Sequence, residues 1–157
     1  MNPRCIARAI AGAALALGLS APLPAQPVTR GDLTIDHAYT REAPPGARTA
    51  AAYLTIANRG REGDRLMSAN SPRAAAVEIH SMREQLGVMR MRQVGEVIVP
   101  PRGTVKLVPG GLHLMIVEPT SPLRAGERVP VTLTFMRAGP IDIQVTVEPM
   151  TGGGHTH

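Results

Sequence analysis

The feature that most constrains this chain is a rhythm of short segments rich in Val, Ile, Leu and Thr, each cut off by proline or glycine. LTIDHAY, AAYLTIAN, DRLMSAN, AAVEIHSM, VMRMRQV, TVKLVP, LHLMIVE, RVPVTLTF and IDIQVTVEP are separated by signals such as APPGA, PPRG, PGG, RAGE and RAGP. Such runs predict β-strands, and none sustains a helical period. Many short strands at regular spacing predict an all-β Greek-key barrel or sandwich. With one phenylalanine, two tyrosines and no tryptophan, its core must be aliphatic. There is no internal repeat and no domain boundary within these segments.

The first 25 residues read differently. Arg4 and Arg8 precede an apolar run from Ala9 to Leu19, and APLPA ends in a small residue before Gln26. This pattern predicts an export signal cleaved after Ala25. At eleven residues the run is too short to span a bilayer, which needs about 20. Cys5, the only cysteine, lies upstream of the run and is not placed for lipid attachment. The expected layout is a signal over 1–25, a β-domain over 26–149 and a tail over 150–157.

Losing the signal takes Arg4 and Arg8 away and lowers the formal charge from +5 to +3. The remaining 132 of 157 residues suffice for one domain. No arginine cluster or aromatic platform stands out along the chain, so nucleic acid is not an expected partner. No GxSxG motif and no paired carboxylates point to an enzyme. Without a cysteine the exported protein also lacks the thiolate of a blue-copper electron carrier.

Histidine and methionine carry the chemistry. In AVEIHSM, alternation puts Val77 and Ile79 on one face and Glu78, His80 and Met82 on the other. In LHLMIV, Leu112, Leu114 and Ile116 form an apolar row, so His113 and Met115 share the opposite face, with Cα atoms about 7 Å apart. VMRMRQ places Met89, Met91 and Gln93 together, and periodicity does not choose between the two methionines. Neutral thioethers suit Cu(I) and offer little to zinc, magnesium or calcium, whereas imidazole serves several transition metals. Thioethers also bind Cu(I) where thiol pairs would oxidise.

The spacing of His80, Met91, His113 and Met115, set in VEIHSM, GVMRMRQV and KLVPGGLHLMIVEP, resembles the periplasmic copper chaperones of the PCuAC family. The likeness extends to LTIDHAYTREAPPGARTAAAYLTIANRG, DRLMSANSPRAAAVEIH and GERVPVTLTFMRAG, with Tyr39 where the family often has tryptophan. It implies a cupredoxin-like barrel in which these four residues bind one Cu(I). It further implies delivery of copper in the periplasm for cytochrome c oxidase assembly, and the expected state of the protein is a monomer. The implied partners are a thioredoxin-fold Sco-like protein and an oxidase subunit. Copper storage or resistance would use the same site, and a metal-free envelope module would need no metal.

Met82 and Met89 share faces with His80 and Met91 and are candidate rim ligands for handover, whereas Met136 reads as a packing residue. Met150, His155 and His157, around three glycines, are candidate accessory ligands that could take Cu(II). Arg41–Thr49 reads as a proline-stiffened connection. Pro109–Gly111 reads as a tight hairpin turn that positions His113.

Overall fold

The computed structural model describes residues 26–150. The expected signal, His155 and His157 lie outside the described residues. Eleven strands and no helix make up this part: β1 (Val28–Arg30), β2 (Leu33–Arg41), β3 (Thr49–Asn58), β4 (Asp64–Asn70), β5 (Ala74–Gln85), β6 (Val88–Gln93), β7 (Val97–Val99), β8 (Thr104–Leu107), β9 (Leu112–Pro119), β10 (Arg128–Phe135) and β11 (Gly139–Glu148).

Seven of them close a Greek-key barrel in the order β2-β11-β10-β4-β5-β9-β3, sealed by pairing of β3 with β2. Only β11 and β2 run parallel. The sheet is closed because each of these strands carries one apolar face, and closure buries all such faces at once. Val129, Val131, Leu133 and Phe135 from β10 meet Ile141, Ile143, Val145 and Val147 from β11 inside. The remaining core is almost wholly Leu, Ile, Val and Ala, as the composition requires.

β1, β6, β7 and β8 add to this frame from outside the closed path. β1 and β7 are three residues each, too short for alternation to show in the sequence, and exist because β2 and β4 offer them partners.

Two irregularities bear on the site. β2 has a bulge between Asp36 and Tyr39, with His37 at a φ of 50°. The extra residue switches parity: Leu33 and Ile35 point inward before it, Ala38 and Thr40 after it. Tyr39 is thereby carried to the outer face, where its ring lies 5.2 Å from Tyr53. The second irregularity corrects the reading of Pro109–Gly111. β8 and β9 do not form a hairpin; both pair with β3, one after the other along its length. The chain between them loops out in a tight turn, in which the Gly111 N–H donates to the Val108 carbonyl at 3.0 Å. Pro109 and Gly110, with φ of 78°, take the two central positions that a type II turn reserves for such residues.

Candidate metal centre

β5 lies between β9 and β6, and register sets His80 opposite His113 on one side and Gln93 on the other. Alternation gathers Glu78, His80 and Met82 from β5, His113 and Met115 from β9, and Met89, Met91 and Gln93 from β6 on one outer face. Met115 pairs with Glu78 and Met91 with Met82, so each stands one diagonal step from His80. Directly opposite Cβ atoms are about 5 Å apart and diagonal neighbours about 7–8 Å, distances that long side chains span. Register thus distinguishes the two β6 methionines. Met91 lies diagonal to His80, whereas Met89 pairs with Glu84, one rung further out.

Each imidazole is anchored through one nitrogen and presents the other. His113 Nδ1 donates to the Gly111 carbonyl at 3.0 Å, which leaves the Nε2 lone pair free. The same carbonyl accepts the Met82 backbone N–H at 3.0 Å, so the looped-out turn clamps β5 and the His113 ring together. His80 Nε2 donates to Glu78 Oε2 at 2.8 Å, and its Nδ1 is buried with no hydrogen-bond partner. An orphaned buried nitrogen costs stability unless something fills the position. The two rings are 5.8 Å apart between centroids and inclined at 53°. A histidine tied by one N–H to a carboxylate or carbonyl, with the other nitrogen bare, is the usual arrangement of a metal ligand.

The surroundings decide which ion suits. Among the described residues no three His, Cys, Asp or Glu side chains are grouped to hold a metal. A cation bound between the two imidazoles would find neutral thioether sulfur around it, a donor that suits soft Cu(I) better than hard divalent ions. Tyr53, one step past the paired Ala52 and Leu114, extends the row of β9 toward Tyr39. Burial pushes both phenols above their ordinary range. The charge of Glu148 adds to this for Tyr39 and Tyr39 adds for Tyr53, while Arg41 opposes in each. They flank the site as neutral rings, not as phenolate ligands.

Exposure is graded across the face. His113 is 3% exposed, His80, Met82 and Met115 are half-buried, and Met91 and Met89 are 45% and 52% exposed. The other sequence candidates lie elsewhere. Met150 is exposed at the end of β11, its N–H on the Glu42 carboxylate, and β2 and β3 separate that strand from β9. Met136, expected to pack, is 66% exposed in the β10–β11 turn, because a turn residue has no sheet face to join. The Arg41–Thr49 connection is stitched to Leu123 through Ala43 and to Glu118 through Arg48, at the far end of β9 from His113. Glu78 was not singled out as functional; its place two residues before His80 on the same face was the available signal. The Gly111 carbonyl has no sequence signal at all.

A closed Greek-key barrel with this His and Met face is a cupredoxin-like domain of the PCuAC type. The chain belongs to the LpqE-like family, described as putative lipoprotein LpqE-like, whose model matches residues 33–147. It is 28% identical over 158 aligned positions to the putative lipoprotein Lxx21020 of Leifsonia xyli subsp. xyli, covering 96% of this chain and 94% of that one. Among solved structures it is similar to the copper-bound PCuAC domain of PmoF2, with a TM-score of 0.68 and 25% identity over 79% of this chain and 98% of that one. It is also similar to Cu(I)-bound DR1885 of Deinococcus radiodurans, with a TM-score of 0.62 and 27% identity over 82% and 85% of the two chains.

Proposed function

We propose that this protein is an exported envelope metallochaperone that binds one Cu(I) and delivers it for cytochrome c oxidase assembly. The observation that carries the reading is the cross-strand pair His80 and His113, each with one nitrogen anchored and one bare. His80 Nδ1, His113 Nε2 and the sulfurs of Met91 and Met115 are the four donors. The copper-bound relatives and the putative lipoprotein name of the family support the cargo and the envelope location. After Cys5 the chain has no cysteine, so a cleaved, unlipidated periplasmic form fits best.

Handover is ligand exchange without change of oxidation state. Met91 is the outermost of the four donors and His113 the innermost. An incoming ligand therefore displaces Met91 first, while the histidines hold the ion until a second partner donor is in place. That exposed exit favours delivery over storage, which is better served by a closed site. The implied recipients, a Sco-like thioredoxin-fold protein and an oxidase subunit, supply such donors.

An anaerobic Cu(I) titration against a competing chelator tests the reading: one tightly bound Cu(I) per chain is expected, and no binding would leave a metal-free envelope module as the better account. Affinity should fall on acidification, because a protonated imidazole cannot coordinate a metal. A flat pH response would exclude histidine ligands. Glu78→Ala should weaken Cu(I) binding by about 10–100-fold, the usual effect of losing a partner that orients a ligating histidine. Glu78→Gln, which keeps an acceptor oxygen, should recover most of it. Nitrogen-15 shifts of His80 would show whether the tautomer changes as this account requires.

A further inference from the structure

The hairpin of β5 and β6 has a second face that the metal site does not use. Opposite the methionines, alternation places Arg83, Arg90 and Arg92, with Val88 near the tip. Arg83 is the direct cross-strand partner of Arg90, and Arg92 faces Ser81 one rung nearer the barrel. The hairpin thus brings three guanidinium groups from residues 83–92 onto one small surface. All three are exposed. Among the described residues none has a carboxylate within ion-pair distance, whereas Arg48, Arg65, Arg73 and Arg137 each lie against a glutamate. Glu84, the acid nearest along the hairpin, points to the methionine side.

Two further observations mark this surface as unfinished. Like charges directly opposite on paired strands destabilise the pair, so the Arg83 and Arg90 rung is unfavourable in the free protein. β6 pairs only with β5, and all six of its residues are exposed, so its outer edge keeps unpaired backbone groups. A charge on an edge strand discourages aggregation, but that role does not need a second arginine facing the first across the hairpin.

We propose that this arginine face is the docking surface for an acidic patch on the protein that accepts the copper. The inference rests on the chaperone reading for the identity of its partner, and on charge complementarity for its chemistry. Carboxylates match guanidinium forks two bonds at a time and relieve the repulsion on the rung. A protein is favoured over an anionic membrane because Met82, Met89 and Met91 lie on the reverse of the same two strands. Whatever grips the hairpin holds the metal edge beside it, and the next ligand for Cu(I) must be soft. Lipid headgroups offer only hard oxygen donors. The docked partner also reaches Met91, the first ligand to leave.

The test uses copper-free protein, so it does not depend on the metal site. Poly-L-glutamate serves as the acidic polypeptide probe and phosphatidylglycerol vesicles as the membrane probe, both at low ionic strength. Amide shifts on adding poly-L-glutamate are expected to concentrate on residues 81–93. A triple Arg83→Ser, Arg90→Ser, Arg92→Ser variant should lose at least about tenfold in affinity for the polypeptide. Arg59, Arg61 and Arg102 form a separate basic cluster where the loop after β3 meets the loop after β7, and a control with these three changed to serine should stay within about twofold of the parent. Failure of poly-L-glutamate to bind, shifts centred on that loop cluster, or an unaffected triple variant would overturn the proposal. So would tighter, hairpin-dependent binding to the vesicles, which would make the surface a membrane contact. The triple variant should keep the parent Cu(I) affinity; if the parent itself binds no Cu(I), the chaperone reading fails while the docking result stands.

Discussion

Replacing His113 by alanine is expected to abolish stoichiometric Cu(I) binding, with a loss greater than the about 10–100-fold that follows removal of an outer partner of a metal ligand. His113 is the most buried of the four proposed donors, and its ring is held by the Gly111 carbonyl in the tautomer that bares Nε2. Without it His80 has no second imidazole, and a site of one nitrogen and two thioethers lacks the donor that gives affinity at neutral pH. No other imidazole lies across from His80, since the residue on its other side is Gln93. Chelator competition on variant and parent would measure the change, with circular dichroism to establish that the barrel is intact. A variant that still bound one Cu(I) at parental affinity would place the metal elsewhere on the chain.

The largest effect on stability is expected at Phe135. It is the single phenylalanine of the chain, fully buried at the end of β10, where it pairs with Leu66 of β4 and Gly139 of β11. In a core otherwise made of Leu, Ile, Val and Ala, no other aromatic ring can move into the vacated volume. Phe135→Ala should therefore cost about 3–5 kcal/mol, the range for removing a buried aromatic side chain. Urea unfolding of the two proteins would read this as a lowered midpoint at similar slope. β10 is separated from β5 by β4, so the folded variant should keep the parent affinity for Cu(I). A change below about 1 kcal/mol would mean that the barrel collapses around the gap.

These two residues differ in how far they could be read beforehand. Phe135 ends an alternating run, Val129, Val131, Leu133, Phe135, whose inward face is evident from period alone. His113 and Met115 could be assigned to one face by the same rule, as could His80 and Met82. Tyr39 could not, because the bulge at His37 reverses the parity of β2 partway along, and a bulge has no firm sequence signature. Met136, read as a packing residue, follows directly on the last strand residue, and the turn that begins there leaves its side chain exposed.

The largest gap concerns which residues meet. No local pattern states that β9 lies against β5, or that His80 is level with His113 and not with Met115. That pairing arises from closing seven strands into one barrel, where each register must satisfy its neighbours on both sides. The Pro109–Gly111 turn shows the same limit. Its residues announce a turn, yet only the shared pairing of β8 and β9 with β3 turns it into a loop that clamps His113 through the Gly111 carbonyl. The arginines behave alike, ordinary surface charges in the sequence until the hairpin sets Arg83 against Arg90.

The amino-acid sequence by itself determined nine of the strands, the face of each side chain where no bulge intervenes, and a set of His and Met donors suited to a soft ion. These follow from φ/ψ preference, alternation and ligand chemistry, all local properties. The tertiary structure decided the register, the tautomers set by Glu78 and Gly111, the choice of Met91 as the nearer methionine, and the exposure that leaves it outermost. Those depend on contacts between residues far apart along the chain, and such contacts exist only once the barrel has closed.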